Sequence, residues 1–114
     1  MKTIFVALSI QLMFFSSFTF KNEPPAKVKI KTSAICEMCK ARIEKKLAFT
    51  KGIIESDLDL KDKVITVTYQ SNKTDISKIK NAINEAGYDA DETKAIEKSY
   101  EKLPSCCKKE TSPH

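Results

Sequence analysis

Histidine is almost missing from this chain of 114 residues, and the one present, His114, is the last residue. No imidazole therefore stands near Cys36 and Cys39. A structural zinc site normally takes four ligands, and the neighbouring sequence supplies only those two. Lys40 follows Cys39, which excludes the Cys-x-x-Cys-His attachment of a c-type haem. Long hydrophobic runs are scarce as well. The only one, Ile4 to Phe15, is short of the ~20 residues that cross a membrane. The formal net charge of +5 is small and its lysines are interspersed with acids, so charge makes no case for nucleic acid. Proline is confined to positions 24, 25, 104 and 113, outside every predicted core element. No internal repeat or low-complexity stretch is present, and the length suits one small domain.

What is present divides the chain. Residues 1–20 have the layout of a secretory signal peptide: Lys2, then an apolar run broken only by Ser9 and Gln11, then Ser16, Ser17 and Thr19 near a cut. The alternative is an uncleaved N-terminal anchor. No Cys follows the run directly, so a bacterial lipoprotein is not indicated. Phe18 and Phe20 fit a small-x-small site poorly and leave the cleavage point open. Cleavage near Lys21 removes one charge, Lys2, and leaves about 94 residues with a formal charge of about +4. The expected destination is the periplasm or the outside of the cell. Residues 21–25, with Pro24 and Pro25, read as a linker, 26–93 as the domain, and 94–114 as a C-terminal helix and a Cys-containing flexible tail.

Within the domain, Val28, Ile30 and Thr32 alternate with Lys27, Lys29 and Lys31, which predicts a half-buried strand with a cationic outer face. Cys39, Ile43 and Leu47 fall at i, i+4 and i+8 and predict an amphipathic helix to about Phe49, stopped by Gly52. Ile54, Ser56, Leu58 and Leu60 alternate with acids as a second strand. Lys61 to Lys63 makes a turn, and Val64 to Tyr69 is a third strand hairpinned to it. Thr74 is the expected N-cap of a helix with Ile76, Ile79, Ala82, Ile83 and Ala86 on its apolar stripe and Gly87 after its end. Tyr88 to Thr93 reads as a short fourth strand, and Ala95 to Leu103 as an extra helix ended by Pro104. The order β-α-β-β-α-β predicts an α+β, ferredoxin-like sandwich: a four-stranded antiparallel sheet with both main helices on one face. The lysine stripe independently calls for an open opposite face.

The four cysteines sit in two tight pairs, Cys36/Cys39 and Cys106/Cys107, a poor arrangement for stapling loops in an exported chain. Cys39 lies at or near a helix N-terminus, where orphan N–H groups and the helix dipole favour thiolate. Thiolates select Cu(I), Hg(II) and similar soft ions. Two other fates remain open for the first pair: a structural disulfide, which would constrain the unfolded chain little, or thiol–disulfide redox chemistry. The redox reading is weakened because no proline of the predicted core can face the dithiol unless the tail folds back. Adjacent cysteines form a strained disulfide at best. The Cys106/Cys107 tail is therefore either a second soft-metal ligand set that captures, relays or completes the site, or a passive or intermolecularly bonded tail.

Residues 26–92 resemble a heavy-metal-associated domain, the module of copper chaperones, metal-exporting ATPase segments and periplasmic mercury-binding proteins. The resemblance rests on Cys36-x-x-Cys39 after a first strand, on Ile43 and Leu47, on Lys51-Gly52-Ile53, on the hairpin and on Glu85-Ala86-Gly87-Tyr88-Asp89. It implies one soft ion held between Cys36 and Cys39 and passed to a partner's similar pair by ligand exchange, with Tyr88 near the metal loop. The implied protein is not an enzyme. It is a mainly monomeric carrier or store of Cu(I), with Hg(II) as the alternative cargo, and its partner is a metal-transporting membrane protein or another metal-binding domain. The small redox protein stays as the reading of a different class. Two departures stand out. Ala34 replaces the family's loop methionine, which suggests a looser loop. Met38, between the two cysteines, is either a solvent-facing side chain or an auxiliary thioether ligand. The lysine stripe is a solvated face or a docking face for an acidic partner.

Overall fold

The computed structural model describes residues 23–108. The expected signal segment, residues 1–20, and His114 lie outside them. Three strands form one antiparallel sheet in the order β1-β3-β2: β1 Ala26–Lys31, β2 Ile53–Asp59 and β3 Val64–Tyr69. Two main helices, α1 Glu37–Ala48 and α2 Ile76–Glu85, pack together beside it, and the chain ends in a short α3 Glu97–Glu101 and a 3-10 turn, Ser105–Cys107.

Alternation drives the strands. On β1, Ile30 is buried and Val28 half-buried, while Lys27, Lys29 and Lys31 are exposed. Central β3 buries Ile65, Val67 and Tyr69. The turn between β2 and β3 is set by its aspartates: Asp59 Oδ1 accepts from the Lys61 amide and Asp62 Oδ1 from the Val64 amide, each at 2.9 Å. The core closes with Ile43 and Leu47 of α1 and Ile79 and Ile83 of α2, all fully buried. Each such side chain contributes ~1.5–3 kcal/mol by leaving water.

Three expectations are corrected. The second strand starts one residue earlier and carries a bulge between Ile53 and Glu55. The extra residue resets the alternation, so Ile54 is 50% exposed while Leu58 faces the core. Asp75, and not Thr74, is the N-cap of α2: its Oδ1 accepts from the Lys78 amide at 2.8 Å, while Thr74 is buried. The fourth strand is reduced to isolated bridges, Thr32 to Ala90 and Ala90 to Thr93. Asp91 takes a left-handed φ of 48° and turns the chain off the sheet. Its carboxylate then accepts from the Lys31 amide at 2.8 Å, in place of a ladder carbonyl.

The end of α2 positions the C-terminal segment. Gly87, at φ 105°, closes a Schellman motif: its amide donates to Asn84 O at 3.1 Å and the Tyr88 amide to Ile83 O at 3.2 Å. A Cβ on Gly87 would lie 3.0 Å from Leu103 Cγ and Cδ2 and from the Ser99 carbonyl. The close approach seats Leu103, 5% exposed, against the domain. Of the tail expected to be flexible, the described residues 105–108 are held against the domain by Cys107, 1% exposed, just after Leu103. The C-terminal helix is shorter than expected, and Ile96 lies outside it, exposed. Among the described residues no helix is long and apolar enough to cross a membrane.

Candidate metal centre

The loop between β1 and α1 is tied down before the thiols are reached. Thr32 Oγ1 donates to Lys63 O at 2.9 Å and accepts from the Ala34 amide at 3.2 Å. Ser33 Oγ accepts from the Asp89 amide at 2.9 Å, joining this loop to the segment after Tyr88. Ala34 is fully buried, so the small residue that suggested a looser loop is packed inside the core.

Cys36 is the N-cap of α1, in extended conformation, and its side chain makes no capping hydrogen bond. Its backbone carbonyl accepts from the Lys40 amide at 3.1 Å. Three residues on, Cys39 sits in the first helical turn, fully buried. The i, i+3 spacing turns both sulfurs to one side, with Cys36 Sγ 3.1 Å from Cys39 Sγ.

The tail adds two more thiols. Pro104 caps the 3-10 turn, and its carbonyl accepts from the Cys107 amide at 2.8 Å. That turn aims the buried Cys107 at the loop, where its Sγ lies 3.6 Å from Cys36 Sγ. Cys106 Sγ lies 3.9 Å from Cys107 Sγ and 3.8 Å from the Met38 sulfur. Cys36, Cys106 and Cys107 have sulfurs all within 4.8 Å of one another. The sequence next to the first pair holds no further thiol, and Cys107 reaches it from 71 residues away. Met38 is 49% exposed, as the solvent-facing reading had it, yet it borders the outer thiol of this cluster.

Tyr88 is 1% exposed and closes the inner side. Burial, and after it the Cys39 and Cys107 thiols, push its hydroxyl far above the usual phenol range. Those thiols face the hydroxyl without reaching hydrogen-bond geometry, so it stays protonated and unpartnered among the described residues. The thiols differ from one another. Burial raises the Cys36 thiol, and its interaction with the Cys39 thiol adds to this, while the Cys39 amide and Cys107 pull against it. Burial also opposes ionisation of Cys39, but the Cys107 thiol, the Ile35 backbone, the Tyr88 hydroxyl and Cys36 outweigh it and lower Cys39. Cys107 is pushed well up, by burial first and then by Cys39. Of Cys36, Cys39 and Cys107, Cys39 ionises most readily, as its place in the first turn of a helix favours. All four cysteines are free thiols, and Cys36 links the inner Cys39 to Cys107 of the tail, which in turn lies beside Cys106. Such a set suits a soft cation.

The family profile of the heavy-metal-associated domain matches residues 31–89. The copper chaperone CopZ of Staphylococcus haemolyticus (strain JCSC1435) is 32% identical over 54 residues, which are 47% of this chain and 79% of that protein. Among solved structures, the Cu(I)-loaded N-terminal domain of a potential copper-translocating P-type ATPase from Bacillus subtilis superposes with a TM-score of 0.57 at 25% identity. That superposition covers 60% of this chain and 86% of that one. Oxidised MerP from Ralstonia metallidurans CH34 superposes with a TM-score of 0.56 at 22% identity, covering 59% and 94%, a likeness of fold.

Proposed function

The chain belongs to the heavy-metal-associated domain family, and from that premise we propose that it is a Cu(I) carrier or store working through Cys36 and Cys39. The observation that carries the reading is the pair of thiols 3.1 Å apart at the start of α1. They lie on the same strand-to-helix element that the family match spans. The Cys39 thiolate would meet the ion first, and Cys36, more exposed, would close on it as it loses its own proton. Delivery would follow by ligand exchange. An acceptor thiolate bonds to the ion as one protein sulfur lets go, and the oxidation state of the ion does not change.

The acceptor would be a metal-transporting membrane protein or another domain of this kind. Both the chaperone relative and the ATPase domain of like structure support that class of partner. The protein would act as a monomeric carrier without catalytic turnover. Residues 1–20 would direct export to the periplasm or beyond and be removed there, with 21–25 as linker and 94–114 as an extension of the domain. The layout of the first twenty residues supports export. The N-terminal sequence of the protein recovered from the exported fraction checks it. A chain starting at Met1 would argue against cleavage.

Anaerobic titration of the reduced chain with Cu(I), Hg(II) and Zn(II) tests the metal. Tight, Cys36-dependent Cu(I) binding and much weaker Zn(II) binding are expected. Hg(II) preferred over Cu(I) would reassign the cargo, and binding that Cys36→Ser leaves unchanged would remove the site.

A further inference from the structure

We propose that Cys107 is a third thiolate ligand of the Cys36/Cys39 site, supplied in cis by the C-terminal tail as a latch that an acceptor's thiol must displace. The proposal rests on the soft-metal reading of Cys36 and Cys39. It adds the coordination number and the control of release.

Sulfur spacing argues for three ligands. With metal–thiolate bonds of ~2.3 Å, two sulfurs in line across an ion stand ~4.6 Å apart, and three in a plane around it stand ~4 Å apart. Cys36 and Cys39 are 3.1 Å apart, and Cys36 and Cys107 are 3.6 Å apart. Opening to a trigonal site therefore takes much less movement than opening the pair to a linear one. Cys36 Sγ thus stands within 3.6 Å of both other sulfurs, so Cys39 and Cys107 approach it from the inner side of the same loop.

The tail is built to hold this place. Leu103 is seated over Gly87, where even a methyl group would be too close. Pro104 then starts the turn whose last residue is the buried Cys107. A passive tail would not bury its one inward thiol at 1% exposure beside two others. Cys106 is also within 4.8 Å of Cys36 and Cys107, but it is half-buried beside the exposed Met38, so the third place is assigned to the buried Cys107.

The latch follows from ligand exchange. An incoming thiolate attacks a two-coordinate ion by becoming its third ligand, and here the third position is already filled. One acceptor S–metal bond forms as the Cys107 bond breaks, and the freed Cys107 thiolate takes up a proton. No electron is transferred. Release is slow while the tail is docked and fast once it has left.

X-ray absorption at the copper edge on the reduced full chain, loaded with one equivalent of Cu(I), reads the number of sulfurs directly. Three sulfurs are expected for the wild type and for Cys106→Ser, and two for Cys107→Ser. Capture of the ion by bathocuproine disulfonate should be at least ~10-fold easier from Cys107→Ser than from the wild type, since losing a ligand costs no less than losing an outer-shell partner. Two sulfurs in the wild type would overturn the proposal without reference to any variant. So would three sulfurs and unchanged capture in Cys107→Ser. If Cys36→Ser binds Cu(I) as the wild type does, the functional reading fails as well. If Cys36 is required but only two sulfurs are seen, the latch alone fails.

Discussion

Replacing Gly87 by alanine should unseat the C-terminal tail before it disturbs the core. The backbone at Gly87 has φ 105°, a region that L-residues enter at a cost of ~1–3 kcal/mol. The new methyl group would also lie 3.0 Å from Leu103 Cγ and Cδ2 and from the Ser99 carbonyl. All three atoms belong to the segment after residue 94, so moving that segment outward relieves every contact at once. Doing so gives up the burial of Leu103, ~1.5–3 kcal/mol. The two contributions together bound the loss at roughly 2.5–6 kcal/mol, which at a urea m-value of ~1 kcal/mol/M lowers the midpoint by ~2.5 M or more. Urea unfolding gives the total. Alkylation of the tail peptide by N-ethylmaleimide, read by mass spectrometry, shows where the strain goes. Cys107, 1% exposed in the wild type, should label in Gly87→Ala nearly as fast as the half-buried Cys106. Leu103→Ala added to Gly87→Ala should cost less than it does alone, because the contact it relieves is the one alanine creates. The reasoning is refuted if Gly87→Ala changes stability by less than ~0.5 kcal/mol and leaves Cys107 protected.

Asp75→Ala removes the capping acceptor of the Lys78 amide and should lower stability by ~1 kcal/mol in the same urea assay, while Thr74→Ser, at the residue that does not cap, leaves the cap intact. Tyr88→Phe deletes a buried hydroxyl that has no hydrogen-bond partner among the described residues, so the metal-free protein should be as stable as the wild type or slightly more so. A loss above ~2 kcal/mol would reveal a bond to that hydroxyl. Apparent Cu(I) affinity should climb as pH rises from about 6 to about 8. The Cys36 thiol, raised by burial, is protonated in the metal-free state and must lose its proton to bind. Each proton displaced makes this slope about tenfold per pH unit, and an affinity independent of pH would contradict it.

Much of the fold was legible because local periodicity fixes it. The i, i+4, i+8 stripe of Cys39, Ile43 and Leu47 is the buried face of α1, and the lysine alternation of β1 is the exposed face of the sheet. What was not legible depended on single residues or on distant ones. Ile53 and Ile54 are both apolar, so the pattern could not show which of them the bulge turns outward. Thr74 and Asp75 are both good caps, and only the path of the chain chose between them. The fourth strand was lost to Asp91, whose left-handed turn is no more visible in sequence than that of any other aspartate. The candidate site divided in the same way. Cys36 and Cys39 were marked by their spacing. The approach of Cys107 to Cys36 spans 71 positions, and its only sequence signals were the unused Cys106/Cys107 pair and Leu103 at the end of an apolar stripe.

The central claim, a soft ion held at Cys36 and Cys39, is tested most directly by anaerobic competition for Cu(I) between the reduced chain and a chromophoric Cu(I) chelator. The wild type should withdraw one equivalent of Cu(I) from the chelator, and the double variant Cys36→Ser/Cys39→Ser should withdraw none. Equal withdrawal by the two proteins would contradict the account.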